Sequence, residues 1–256
     1  MQLFFRKEGT SGTHIIILHG IFGSSDNWLG IGKQLAENHV VYMVDQRNHG
    51  QSPHSDIFDY EAMATDLKEL IDNENIENPI IIGHSMGGKT VMQFAMLYPE
   101  SFSKMIVVDI APKFYPVHHH MILQGLASIP LATLKSRTEA NEILRNYEEN
   151  EGVRQFLLKN LYRNPSKNNA FDFRINLPVI SKNIDVVGHE LMHEKSIEQP
   201  VLFVKGEKSH YILPEDERKI WELFPNYQIQ TISDAGHWVQ ADKPEEFLTV
   251  VKDFVD

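Results

Sequence analysis

Pro79-Ile80-Ile81-Ile82-Gly83-His84-Ser85-Met86-Gly87-Gly88-Lys89 passes from an apolar, β-branched run into a serine with a glycine two residues to either side. The helical pattern of residues 89–98 follows directly. Strand, sharp turn and helix in that order decide the fold. Side chains branched at Cβ favour a buried, pleated strand, and glycines at 83 and 87 let strand and helix pack closely enough for a tight reversal. A serine at the apex is forced into a strained backbone conformation that pushes its hydroxyl into the open. Ser85 is therefore the candidate nucleophile. The glycine and serine pattern alone recurs by chance, and the flanking elements give it weight.

Two further segments stand where this architecture needs them. Upstream, His14-Ile15-Ile16-Ile17-Leu18 reads as a buried strand closed by the glycine-rich loop His19-Gly20-Ile21-Phe22-Gly23. Such a loop presents backbone N–H groups to an anion. One donor of an oxyanion hole comes from the residue after the nucleophile, Met86, and the other from this loop, with Ile21 placed ahead of Phe22. Gly20 and Gly23 also fit a purely packing role. Near the C-terminus, residues 227–232 read as a strand, Ser233-Asp234-Ala235-Gly236-His237-Trp238 as a loop and residues 244–254 as a helix. Thirteen histidines are present, so position must select the base. His237 lies beyond a late strand, in the chain order Ser, acid, His that such hydrolases use. Its imidazole would take the Ser85 proton and return it to the leaving group.

The chain thus resembles the alpha/beta-hydrolase family over nearly its whole length. Asp45-Gln46-Arg47-Asn48-His49-Gly50-Gln51-Ser52 looks like the loop after the family's fourth strand, where the Arg and Ser have a structural role. Closer still, Arg47-Asn48-His49-Gly50, Gly83 to Lys89, Asp109-Ile110-Ala111-Pro112, Gln155-Phe156-Leu157-Leu158-Lys159, Phe173-Arg174-Ile175-Asn176 and Gly236-His237-Trp238-Val239 are similar to phrases of the YbfF-type bacterial esterases. The resemblance implies a serine esterase for short to medium acyl esters, or acyl thioesters such as acyl-CoA.

The triad acid departs from the commoner family pattern, which places an Asp about three residues after the glycine ending the seventh strand. That glycine is Gly206, and the expected position holds Ser209, which cannot hold an imidazolium by charge. Asp109, at the end of the apolar run 104–108, replaces it if the strand tips are neighbours; the resemblance agrees. Rival acids are Glu207, which points to the wrong side of its turn, Asp216, and Asp234, which suits capping its own loop.

Alternating strand and helix patterns argue for an α/β fold, a mostly parallel sheet of about seven strands with helices on both faces. Residues 113–199 break the alternation, with helix-like stretches at 118–126, 138–147 and 151–161 and a short strand at 171–174. They read as a helical cap inserted after the sixth strand, leaving residues 1–112 and 200–256 as the core. Such a cap excludes water and shapes the acyl pocket. Phe22, Phe114 and Trp238 are candidate substrate contacts, and Tyr115, Met121, Leu123, Phe156, Leu157 and Tyr162 fit either pocket or packing.

Adjacent side chains on a helix point about 100° apart, so His118-His119-His120 reads as a solvated face and not a metal site. No metal, nucleotide or phosphate-loop motif occurs, and no cofactor is implied. In a chain of 256 residues, a net charge of −11 disfavours nucleic acid and anionic membranes as partners. The absence of cysteine excludes a thiol nucleophile. Neither a signal peptide nor a membrane span is read, so a cytoplasmic protein with a small-molecule ester substrate is expected. The same triad also runs C–C bond hydrolysis and cofactor-free haloperoxidation. In another class, a hydrolase-fold protein would bind a small hydrophobic ligand without turnover, with Ser209 as its sign of decay.

Overall fold

Apolar runs of five or six residues become the inner strands of one seven-stranded sheet in the computed structural model, which describes residues 1–192 and 196–256. In chain order they are β1 (Phe5–Glu8), β2 (His14–Leu18), β3 (Val40–Val44), β4 (Ile80–His84) and β5 (Lys104–Val108), with β8 (Val201–Gly206) and β9 (Tyr227–Ile232) after a long excursion. The spatial order is β1-β3-β2-β4-β5-β8-β9. Only β1 is antiparallel to its neighbour, so the C-terminal tips of the six parallel strands share one edge. Register fixes which tips meet: Leu18 lies opposite Gly83, His84 opposite Val108, and Val108 opposite Val204.

The strands are buried on both faces and alternate residues serve different cores. Ile16, Leu18, Ile81, Val107 and Phe203 join one cluster with side chains of α2 (Tyr60–Asn73) and α3 (Met86–Leu97). Ile15, Ile17, Ile80, Ile82, Val108 and Val204 join the other with α10 (Pro244–Val255) and α1 (Leu29–Leu35). Trimming a fully buried residue such as Ile81 to alanine would cost about 2–5 kcal/mol.

Between β5 and β8 the chain leaves the sheet. It builds α4 (His120–Ala127), α5 (Arg137–Leu144), α6 (Glu151–Leu158), the antiparallel pair β6 (Leu161–Asn164) and β7 (Ala170–Phe173), and α7 (Leu177–Lys182). Counted along this chain the preceding strand is the fifth, because β1 alone precedes β2. Residues 193–195 of the 113–199 span lie outside the described residues. The excursion leaves and returns side by side, with Tyr115 N–H on Gly188 O at 2.8 Å and Leu191 N–H on Pro112 O at 2.9 Å. Its apolar residues Leu123, Leu126, Leu144 and Leu157 continue the first core cluster, which seats it on the sheet. After β8 come α8 (Glu217–Leu223) and α9 (Val239–Asp242). Among the described residues, no helix is long and apolar enough to cross a membrane.

Candidate active site

Ser85 stands between β4 and α3 at φ 53°, in the left-handed region that side chains other than glycine avoid. Close approach explains the flanking glycines. A Cβ on Gly83 would lie 2.1 Å from the Gly87 carbonyl oxygen, and one on Gly87 would lie 2.4 Å from that of Leu18. Ser85 borders a narrow cleft with a cavity volume of about 20 Å3, far below the usual range for ligand sites. Met86 and Ile110 line it from the sheet side, and Val117, His119 and Val187 from the excursion.

Asp109 occupies the tip of β5 at φ 51° and is fully buried. Its Oδ2 accepts from His237 Nδ1 at 2.7 Å and from the Ser209 hydroxyl, while Oδ1 accepts from Gly206 N–H at 3.1 Å. Pairing between β5 and β8 brings Asp109 to that turn, and pairing of β8 with β9 carries the His237 loop alongside. Ser209 therefore lies in the usual acid slot and donates to the carboxylate instead of replacing it. The position of Ser209 in that slot is the sequence signal for its place beside the acid.

With Nδ1 on Asp109, His237 keeps Nε2 free for proton exchange. Among the described residues no hydrogen bond joins it to Ser85 Oγ. Tyr211 connects the two, since it lines the cleft with Ser85 and stacks on the His237 ring at 4.0 Å and 18°. His84, beside the nucleophile, donates from Nε2 to the His237 carbonyl at 2.8 Å. Burial, then the neighbouring His237, lowers the His84 pKa to about 3 and keeps this ring neutral.

The rival acids are engaged elsewhere. Glu207 accepts from Asp234 N–H at 2.9 Å, Asp234 pairs with Lys208 at 2.9 Å, and Asp216 pairs with Lys113 at 2.5 Å.

The N–H groups of Met86, which lines the cleft, and of Ile21 have no hydrogen-bond partner among the described residues. Met86 is the first residue of α3, where no intrahelical acceptor exists. Ile21 N–H is free in the loop after β2, whereas Phe22 N–H donates to His49 Nε2 at 3.2 Å. Of the two loop donors weighed from sequence, Ile21 is the one left open. N–H groups so placed can stabilise an anion developing on an atom bound to Ser85.

The three candidate substrate contacts lie outside the cleft lining. Phe22 is buried against His119 at 5.9 Å, Trp238 packs on Phe156 at 5.6 Å, and Phe114 is 57% exposed. In the histidine run His118 and His120 are exposed, as a solvated face requires, and His119 is half-buried. His118 and His119 precede α4, stack at 4.7 Å and border the cleft, and burial lowers the His119 pKa to about 4. Among the described residues no cluster of His, Cys, Asp and Glu could hold a metal ion.

Lys89, one turn along α3, is fully buried and has no carboxylate partner among the described residues. Its ammonium donates to the carbonyls of Lys113, at 2.9 Å, and His189, the two chains by which the excursion joins the sheet. Tyr115 and Tyr60 rings lie 4.9 and 5.9 Å away. Burial, then repulsion from Lys219, lowers its pKa to about 7.

Residues 13–244 match the family model described as the alpha/beta hydrolase fold. The chain belongs to that family and is an enzyme, similar to the family's esterases and lipases. It is 33% identical to Esterase YbfF of Escherichia coli (strain K12), with both chains covered completely. It is 37% identical to the sn-1-specific diacylglycerol lipase ABHD11 of Danio rerio, covering 98% of this chain and 80% of that one. A solved structure described as a marine microorganism esterase superposes with a TM-score of 0.96 at 43% identity, over 99% of both chains.

Proposed function

We propose that the protein is a serine carboxylic-ester hydrolase acting on short to medium acyl esters or acyl thioesters. The contact of His237 Nδ1 with Asp109 Oδ2 at 2.7 Å, at the strand tip next to a serine held at φ 53°, carries this reading. Ser85 Oγ attacks the acyl carbonyl as its proton passes to His237 Nε2. Negative charge on the former carbonyl oxygen is met by the N–H groups of Ile21 and Met86, and Asp109 stabilises the imidazolium. Collapse expels the alcohol or thiol with the proton from His237, leaving an acyl-serine. Water activated by the same histidine then releases the acid. The excursion at 113–199 serves as a cap, closing the small, mainly apolar cleft to water. Names of relatives that include esterases and a lipase agree with this reading.

The test is p-nitrophenyl ester hydrolysis across acyl lengths, with mass measurement of the quenched protein. The parent should hydrolyse short esters and carry one acyl group on Ser85, while Ser85→Ala should lose both turnover and label. Turnover that survives in Ser85→Ala would refute the nucleophile.

A further inference from the structure

The oxyanion loop is held from two sides, and only one of them belongs to the sheet. In a trans peptide C=O and N–H point in opposite directions, so whatever restrains the Gly20 carbonyl also aims Ile21 N–H. That carbonyl accepts from His19 Nδ1 at 2.8 Å and from Gly23 N–H at 3.0 Å. His19 Nε2 accepts from Gln46 N–H at 3.0 Å, which fixes the tautomer. The next residue, Phe22, sits at φ 61°, an unfavourable conformation for an aromatic side chain that must be maintained by its surroundings. His49 takes its N–H at 3.2 Å. Its carbonyl accepts from Asn160 Nδ2 at 2.8 Å, and Asn160 comes from the excursion, between α6 and β6.

Asn160 is itself held in place. It is 4% exposed, its amide also donates to Leu157 O at 3.1 Å, and its own carbonyl accepts from Arg174 N–H at 2.9 Å. Among the described residues, this is the side-chain hydrogen bond that ties the excursion to the loop carrying Ile21.

We infer that Asn160 is a positioning residue for the oxyanion hole: by holding the Phe22 carbonyl it keeps the left-handed turn that presents Ile21 N–H to the reacting oxygen. The excursion then completes the catalytic machinery as well as covering it, and a cap that lifts away releases the loop. This rests on the ester-hydrolase reading above.

Asn160→Asp has nearly the same shape but cannot donate to a carbonyl, and Asn160→Ala removes the group. Both should lower kcat about tenfold to a hundredfold, the scale of misplacing one oxyanion donor, with KM for p-nitrophenyl butyrate changed less than about twofold. Butylboronic acid adds to Ser85 Oγ as a tetrahedral anion, so its inhibition constant should rise by the same factor as kcat/KM falls. Asn160→Gln, which retains the amide, should recover part of both. Asn141 holds Arg154 within the excursion at 3.1 Å and does not touch the loop. Asn141→Ala should lower the melting temperature and leave kcat and boronate inhibition at the parent level.

Folded Asn160→Asp or Asn160→Ala protein with parental kcat and boronate affinity overturns the assignment of Asn160 while leaving the esterase standing. Equal losses in Asn141→Ala also overturn it, because general loosening of the excursion would then explain both. A parent that neither hydrolyses the ester nor binds the boronate overturns the esterase reading, and this inference with it.

Discussion

Asp109 combines three demands in one side chain: a left-handed backbone at φ 51°, full burial, and a carboxylate serving His237, Ser209 and Gly206 at once. A buried carboxylate is tolerated only when its oxygens are satisfied, and here three donors do so. Asp109→Asn keeps the shape but loses the charge and can donate its N–H2 to His237 Nδ1, which imposes the wrong tautomer. Its kcat on a p-nitrophenyl ester should fall by about ten-thousand-fold, as in the serine-protease template. Ser209→Ala removes a donor and leaves the charge, so its loss should be about tenfold or less, the effect of one hydrogen bond. Adding Ser209→Asp to Asp109→Asn restores a carboxylate beside the same cluster and should recover part of the rate. Steady-state kinetics of the three variants order these expectations, and an Asp109→Asn enzyme as fast as the parent would remove Asp109 from the mechanism.

At the scale of elements, β4 and α3 were legible because their periods differ and the glycines between them mark the turn. The order of strands brings Asp109 and His237 into reach, and that order was implied by the family resemblance rather than by the apolar runs themselves. What stayed hidden depends on tertiary contact. Asn160, His49 and Lys89 are polar residues whose partners lie far along the chain, and no local pattern announces a hydrogen bond from residue 160 to residue 22. The strand at 171–174 was legible and is β7, whereas β6 and α7 are too short for periodicity to separate strand from helix, and His118 and His119 stack ahead of α4, which starts two residues later than the pattern at 118–126 predicts. Lys89 shows the consequence for α3. Its ammonium supplies the carbonyls of Lys113 and His189, and Lys89→Met would remove both donations at a partly buried neck, costing about 1 kcal/mol for each. The folded pKa near 7 lies below the usual lysine value, so between about pH 7 and 10.5 the unfolded chain binds the extra proton. The Lys89 contribution to stability therefore rises with pH through that window. Urea unfolding at pH 7 and pH 9 should show a rise in the parent that Lys89→Met lacks, together with a lower midpoint for the variant at both.

For the whole molecule, the same edge of the sheet that gathers the chemistry also gathers neutral buried histidines. His19 holds Gly20, His49 holds Phe22, and His84 holds the His237 loop. Burial lowers their pKa values to about 4, 3 and 3, well under the ordinary histidine value. In the unfolded chain each protonates as pH falls through about 6.5, whereas in the folded protein each stays neutral until about pH 4 or below. The unfolded state thus binds up to three more protons across this interval, and folding stability drops as the solution is acidified. Each histidine contributes a slope of up to about 1.4 kcal/mol per pH unit. Because every one of these rings restrains a catalytic loop, acid should disorganise the active-site edge before α1 and α10 on the opposite face unfold. Hydrogen exchange at pH 5 against pH 7 should show protection lost first in residues 19–23, 47–50 and 233–238, while amides of β2 and β4 stay protected. His84→Gln keeps a donor for the His237 carbonyl and removes one titration, so its stability should vary less steeply between pH 6 and pH 4 than the parent's. An identical slope in parent and variant would mean that the buried histidines do not set the acid limit of this fold.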